Sequence, residues 1–418
     1  MPIHVERVNC SDLIFESVAQ LRYAVYAEEE HQDLPTMDHD QRTLVDTLDP
    51  HSLTYAAIDN GVVVGTLRLT PIVALPRNAP TYLRFGASRL PVPQDKQLLV
   101  GRLMVATSHR GGPACLMLFA TAYREALANG FEVAYAECNP RNLPLYESVG
   151  CRQVGQPFCD AIYGLNVGVV LVLRDFDHLE AMRSPLRPLT GAHANNAILT
   201  MWAKHALAPW SGPRSLRLKK IGLQSELYEE IVGIPHSPFA ALPTADARRA
   251  LRAATVFELE EGAEVLRPGS SCTEAFIVLK GEVTLNAARH TVGGLRAVVG
   301  KGQIFNESAL LEGQPTKSRI AAFASRQTRL LALSAESLDS LRGSRPAVAA
   351  AIEAGLLLLR TRQDAQDVRP GRGFGCSPGV STTDLLLQNS SSTDQMRECD
   401  HWVPRRCIIL SHSPHGAS

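Results

Sequence analysis

Hydrophobic and polar positions change rhythm several times along this chain, and each change marks an element. Tyr55 to Thr70 holds two β-prone runs on either side of Asn60-Gly61. Both central positions of a type I′ turn need positive φ, which Asn and Gly tolerate best, so the stretch predicts a β-hairpin. A proline-rich loop, Pro71 to Pro93, leads to a short strand at Leu99 to Val105. From Ala114 to Asn129 the apolar spacing lengthens to three and four. Leu116, Phe119, Ala120, Tyr123 and Leu127 recur at helical spacing, and Asn129-Gly130 is a stop signal. Phe131 to Cys138 reads as the next strand. Strand, glycine-containing turn, helix and strand within about 40 residues form a βαβ unit, whose two strands run parallel.

Residues 181–237 read as a connector carrying two helices, Asn195 to Leu207 and Ser215 to Val232, with Pro209-Trp210-Ser211-Gly212-Pro213 between them. From about 240 to 342, short β-prone runs alternate with glycines at 262, 269, 281, 293, 294, 300 and 302. Turn signals every ~8–12 residues predict a small β-barrel or jelly roll. A helical segment, Arg345 to Arg362, closes it. Over 363–418 no periodicity is sustained, which predicts a disordered tail.

Composition narrows the class. The 42 Lys and Arg residues are matched by 42 Asp and Glu, so no basic arm or acidic tail dominates and a nucleic-acid partner is not expected. No apolar run approaches the ~18 residues of a membrane helix. Met1 to Glu6 lacks the layout of a secretory signal, which makes a cytoplasmic protein the default expectation. The nine cysteines include no Cys-x-x-Cys pair. They read as buried thiols rather than a zinc site or disulfide framework, and no metal is expected.

Two segments carry chemistry. His109-Arg110-Gly111-Gly112-Pro113-Ala114-Cys115 follows a strand and opens a helix. Such a turn gathers free N–H groups and the positive helix end at one point, which suits a phosphate or pyrophosphate. Cys138-Asn139-Pro140-Arg141-Asn142-Leu143-Pro144-Leu145-Tyr146-Glu147-Ser148-Val149-Gly150 follows the second parallel strand. With these segments, residues from about 90 to 155 resemble the GNAT acyltransferase core: a strand, an Arg-x-x-Gly-x-Gly/Ala turn, a helix, a strand and a Leu-Tyr-Glu-x-x-Gly-Phe segment. The resemblance implies that Arg110, Gly111, Gly112, Ala114 and Cys115 bind the acyl donor. It also implies that the strand through Leu103 and Val105 offers a backbone N–H to the tetrahedral oxyanion. Pro113 and Cys115 stand where the family has Gly and Gly/Ala, and proline removes one N–H from the cradle. Tyr146 matches the family tyrosine that gives a proton to the departing thiolate.

The N-terminal part narrows the resemblance. Arg22-Tyr23-Ala24-Val25-Tyr26-Ala27-Glu28-Glu29 is similar to the Arg-x-x-Val-Phe/Tyr-x-x-Glu start of acyl-homoserine-lactone autoinducer synthases and N-acyl amino acid synthases. Asp46 and Asp49 precede Tyr55 as paired acids do there, and Gly65-Thr66-Leu67-Arg68-Leu69-Thr70-Pro71 matches their Gly-x-x-Arg-Leu-x-Pro strand. Val100-Gly101-Arg102-Leu103 resembles their Glu-x-Ser-Arg-Phe segment, with Leu99 in place of the Glu. The resemblance implies catalytic-site roles for Arg22, Arg68, Arg102 and Glu29. Glu29, Asp46, Asp49 or a water is then the base. The same side chains also read as a solvated acidic helix end, Glu28 to Glu30, and as structural salt-bridge partners.

The later β-rich region resembles the cyclic-nucleotide-binding domain. The strongest segment is Gly302-Gln303-Ile304-Phe305-Asn306-Glu307-Ser308-Ala309-Leu310-Leu311, followed by Pro315. In the family this is the phosphate-binding cassette, Phe-Gly-Glu-x-Ala-Leu with an arginine straight after the proline. Glu307 matches the acid that accepts from a ribose hydroxyl. Asn306 replaces the Gly and Thr316 replaces the Arg, removing the bidentate partner for a cyclic phosphate. Lys317 and Arg319 are the substitutes within reach. Phe305, Asn306, Glu307, Ser308, Ala309, Thr316 and Lys317 are thus the expected nucleotide-like pocket.

Together these segments predict an α+β protein. A GNAT acyltransferase fold spans 1–180, a helical connector 181–237, a small β-barrel (jelly roll) of the cyclic-nucleotide-binding type 238–362, and a disordered tail 363–418. The implied reaction moves an acyl group from acyl-CoA or acyl carrier protein to a small amine, most simply an amino acid, with a cyclic nucleotide as candidate effector. A cyclic-nucleotide-regulated protein-lysine acetyltransferase, favoured by an open groove near Arg22 and Glu29, is one alternative. A non-catalytic scaffold with two degenerate domains is the other. Homo-oligomerisation is left open, and the connector is the expected hinge.

Overall fold

An eight-stranded sheet organises the first half of the molecule. Its strands are β1 (His4–Val8), β2 (Leu53–Asp59), β3 (Val62–Pro71), β4 (Gln97–Val105), β5 (Val133–Cys138), β6 (Arg152–Gln153), β7 (Phe158–Asp160) and β8 (Gly164–Val172). They lie in the order β1-β2-β3-β4-β5-β8-β6, with β7 paired to β8. Every pairing is antiparallel except β4 with β5, the parallel pair that the βαβ pattern predicts. The hairpin also forms as expected: Asn60 and Gly61 take φ of +49° and +81°. The structure, a computed structural model, describes residues 2–191, 193–207, 228–234, 237–251, 254–287, 296–311 and 316–367.

Helices cover both faces. On one, α1 (Ile14–Tyr23) packs through Phe15 and Val18 on Ala56, Ile58 and Val63. The short α2 (Pro80–Phe85) seats Tyr82 and Phe85 against Val133 and Tyr135, with Phe85 and Tyr135 stacked at 4.6 Å. On the other face, α3 (Ala114–Ala128) buries Leu118, Phe119, Ala122 and Ala126 over the sheet. Next come α4 (Leu143–Val149) and α5 (Phe176–Ala181). Strand alternation sorts the residues: Ala134, Ala136 and Cys138 join the α3 cluster, whereas Val133 and Tyr135 join the α2 cluster.

The start of the expected connector belongs to this core. Leu186 joins the α3 cluster, and α6 (Ala197–Ala206) buries Leu199 and Ala203 beside Tyr135 and Val170. The Asn196 side chain caps α6 by accepting from the Leu199 N–H. Of the second connector helix, only 228–232 lies among the described residues, and it is helical.

The second half is a barrel of short antiparallel strands. One sheet runs β9 (Ala254–Leu259), β18 (Thr328–Ser334), β12 (Glu274–Lys280), β15 (Ile304–Phe305). Another runs β10 (Glu264–Leu266), β17 (Ile320–Ala324), β13 (Glu282–Ala287), β14 (Arg296–Gly300), and β11 (Ser271–Cys272) pairs with β16 (Thr316–Lys317). Among the described residues, the helices flanking it include α7 (Thr244–Leu251), α8 (Ser308–Leu311), α9 (Ala335–Ser344) and α10 (Pro346–Asp367). The expected closing helix therefore continues to Asp367, into the range expected as tail, and 368–418 lie outside the described residues.

The two halves meet directly. A single apolar cluster contains Leu165 and Val167 of β8 together with Phe257, Leu266 and Phe276 of the barrel. The Ser271 N–H donates to the Ile162 carbonyl at 3.0 Å, and the Thr255 hydroxyl to the Pro140 carbonyl at 3.2 Å. Arg141 pairs with Glu30 on the first half and lies 3.6 Å from Glu336 of α9. Gly164, at φ +73°, lies so close to β11 that an added Cβ would stand 2.0 Å from the Ser271 carbonyl oxygen. No helix among the described residues is long and apolar enough to cross a membrane.

Candidate functional site

The parallel pair β4–β5 is registered only at Gln97–Val133, Leu98–Ala134 and Leu99–Tyr135. Both strands continue beyond that point, to Val105 and Cys138. The cause lies in β4: its register to β3 shifts between Thr66 and Arg68, and Arg102 takes φ +50°. A bulge bends its strand and ends regular pairing. The result is a wedge between the strands, with the sequence-expected Leu103 and Val105 on its β4 side.

On the α3 face the wedge adjoins a cavity lined from β3, β4, β5 and α3. Its walls are apolar: Leu67, Leu69 and Val100 from the sheet, Phe119, Ala122 and Ala126 from α3, and Leu171 and Leu186. Tyr146 of α4 joins this lining and meets Phe119 edge-on at 5.8 Å. Burial, reinforced by the neighbouring Cys138 and Cys151 thiols, holds its phenol well above the usual range. Tyr146 therefore keeps its proton at neutral pH, as an acid for a leaving thiolate must.

The expected donor turn lies at the wedge mouth. A single 3-10 turn, Thr107–His109, is followed by Gly111 at φ +75°. The Gly112 N–H is spent on the His109 carbonyl at 3.3 Å, and Pro113 has none. Ala114 starts α3 fully buried, and burial pushes the half-buried Cys115 thiol up to about 11. The cradle that remains is the first turn of α3, whose amides lack intrahelical partners. Arg110 does not stand free for a phosphate. Its Nε donates to the Val105 carbonyl at 3.0 Å and its guanidinium pairs with Glu29, which also accepts from the Thr107 hydroxyl at 2.8 Å. Glu29 is thus tied to the donor turn.

On the opposite face stands a wall of three guanidiniums and two carboxylates. Arg22 and Arg68 each reach Asp49 at 2.9 Å, while Arg68 and Arg102 reach Asp46 at 2.6 Å. Arg22 and Asp49 are buried, and the formal sum is one positive charge. Among the described residues, Nε and Nη2 of Arg22 and Nε of Arg68 have no hydrogen-bond partner. Burial works against charging Asp46, but the Arg68 hydrogen bond and the charges of Arg68 and Arg102 outweigh it, leaving the carboxyl far below its usual range. A base must accept a proton near the working pH, and this double pairing of Asp46 opposes that. Behind it α1 continues as a π-helix, Ala24–Glu29, a widening common at functional sites. It brings Tyr26 to 5.4 Å from the Arg102 guanidinium and 5.7 Å from Tyr163. Tyr26 and Tyr163 were not among the expected site residues. Tyr26 lies inside the quoted N-terminal motif, but Tyr163 has no local signal.

In the barrel, Phe305 stacks on Phe276 at 5.1 Å, and Ser308 and Ala309 open α8. Asn306 takes φ +63°, and its amide donates to the Glu274 carbonyl at 2.5 Å and the Cys272 sulfur at 2.6 Å. Glu307 is buried, with Arg360 of α10 3.6 Å away. Lys317 is a correction to the expected pocket. Alternation puts Ser318 and Ile320 inside and both Lys317 and Arg319 in solvent. The Thr316 side chain is outside the described residues. The cassette from 306 to 316 contains no Lys or Arg, so it supplies no cation of its own for a cyclic phosphate.

Residues 17–173 match the N-acyl amino acid synthase FeeM. Residues 256–345 match the cyclic nucleotide-binding domain. No curated protein matches the chain. Among solved structures, the CoA-dependent acyl-homoserine lactone synthase BjaI is 19% identical over 44% of this chain and 90% of its own, with a TM-score of 0.36. MesI, a second CoA-dependent acyl-homoserine lactone synthase, is 17% identical over 47% and 97%, with a TM-score of 0.35. A cyclic nucleotide-binding domain from Methylobacillus flagellatus is 22% identical over 36% and 86%, with a TM-score of 0.31. The FeeM-like half gathers Arg22, Arg68 and Arg102 with Asp46 and Asp49 on one face. Glu29 with Arg110 stands at the wedge mouth, and Tyr146 lies on the other face. Of the six free cysteines among the described residues, Cys138, Cys151, Cys159 and Cys272 are buried as expected, whereas Cys10 is exposed and Cys115 half-buried.

Proposed function

We propose that the FeeM-like half transfers an acyl group from a thioester to the amine of a small acceptor, most simply an amino acid. The observation that carries this reading is the wedge between β4 and β5, with an apolar cavity on one face and the guanidinium wall on the other. The acyl chain enters the apolar cavity. Its thioester carbonyl sits in the wedge against the β4 backbone. The acceptor binds on the wall face, where unspent guanidinium N–H groups and a net positive charge suit a carboxylate. The buried wall favours a small amine over a lysine on a protein surface. The amine attacks the carbonyl carbon, the C–S bond breaks, and Tyr146 protonates the departing sulfur.

The donor is acyl-CoA or an acyl carrier protein. The spent Arg110 and the proline in the turn favour the carrier, whose pantetheine brings one phosphate. Mass spectrometry of lipid extracts from cells expressing the full chain tests the reading. A new N-acyl amino acid is expected, falling by at least about tenfold with Tyr146→Phe. Absence of any new lipid overturns it in favour of protein acylation or a scaffold.

A further inference from the structure

Among the described residues of the acceptor face, Asp49 is closed off between Arg22 and Arg68. Asp46 is held deprotonated by two guanidiniums and Glu29 is tied to the donor turn. Position 99 holds a leucine packed beside Tyr135. Among the described residues, a further carboxylate stands on the far bank of the wedge. Glu137 of β5 is two residues beyond Tyr135, on the same face by alternation, and its pairing with Arg84 of α2 fixes it there. It lies past the last registered pair, Leu99–Tyr135, where β4 no longer covers β5. Gly101, two residues past Leu99 on the opposite bank, leaves room: a Cβ added there meets nothing within 4 Å. The Glu137 side chain is about one-quarter exposed, so it is reachable from that space.

From this geometry we propose that Glu137 of β5 is the general base. This rests on the acyl-transfer reading above. The ammonium of the acceptor gives one proton to Glu137, and the freed lone pair forms the C–N bond. As the tetrahedral intermediate collapses, the C–S electron pair leaves with sulfur, which takes the Tyr146 proton. The second nitrogen proton returns to the tyrosinate through water, and Glu137 releases its proton to solvent. The environment suits the role. Burial raises the Glu137 carboxyl above its ordinary value, with Arg84 and a Thr81 hydrogen bond opposing. Arg84 itself is held flat against the Phe158 ring, 3.4 Å from its centroid. Arg84 is thus a positioning residue that keeps the carboxylate on the wedge.

The test follows thiol release and amide formation from hexanoyl-CoA and from hexanoyl-acyl carrier protein with pooled amino acids, using the full chain. Glu137→Gln is expected to lower kcat about 100-fold with the amine KM within about threefold. It also abolishes the acidic limb of the pH–kcat profile, while Glu137→Asp restores part of both. Arg84→Met is expected to lower kcat less than Glu137→Gln does and to move that limb to higher pH, a displacement that a merely structural ion pair would not give. An unaltered pH profile in Glu137→Gln, or equal kcat, overturns the assignment while leaving acyl transfer standing. No turnover in the wild type with either donor overturns acyl transfer and the role of Glu137 with it.

Discussion

Asp46 shows how a few side chains fix the chemistry of a site. Two guanidiniums hold it ionised in the folded state. Its folded pKa lies below the unfolded value, so it stabilises the fold above about pH 4, and that stability is lost as pH falls below it. Asp46→Asn is expected to cost about 3 kcal/mol at pH 7, because Arg68 and Arg102 lose a partner on a largely buried wall. The difference from wild type in denaturant melts is expected to close as pH falls through 4 toward 2. Legibility in the sequence divides at this scale too. Arg22, Arg68 and Arg102 are readable because each lies in a short ordered motif. The Arg141–Glu30 pair, 111 residues apart, exists only once α4's leading turn folds beside the π-helix. Lys317 was misplaced because a lone strand residue has no fixed face until its partners are known.

Among elements, α3 does two jobs. Its N-terminus meets the donor turn, and its middle and far turns line the cavity. Ala114 to Ala126 spans about 18 Å at 1.5 Å per residue, so Ala126 forms the deep end. Ala126→Leu is expected to shorten the accepted chain, lowering kcat/KM at least about tenfold for the longest substrate and leaving the shortest unchanged. Competition among mixed acyl thioesters, read by product mass, checks it. Periodicity made α3 and the hairpin readable, and the βαβ pattern predicted the parallel pair. It could not show that the pair opens, because that depends on a bulge one residue long. Nor could it show the π-helix, whose residues read as an ordinary continuation of α1. The connector was misjudged for another reason: Leu186 and Leu199 look like linker residues until a sheet is there to cover.

At the scale of the whole molecule, the shared apolar cluster makes the two halves one cooperative body. Heating is expected to show one calorimetric transition. Gly164→Ala is expected to lower stability by about 2–4 kcal/mol or split the transition in two. The new methyl group meets a backbone carbonyl that no rotamer can relieve, and φ +73° is itself unfavourable for alanine. The barrel's cassette lacks a phosphate cation, yet its framework still presses on Pro140, immediately before the helix that carries Tyr146.

Gly164 also limits how such a protein can be recombined. Because β8 and β11 touch backbone to backbone there, neither half tolerates a partner whose matching loop stands even one methyl group further out. Grafting a different barrel onto this first half, or a different first half onto this barrel, would have to carry both sides of that contact across together. The two halves are therefore a fitted pair rather than interchangeable parts.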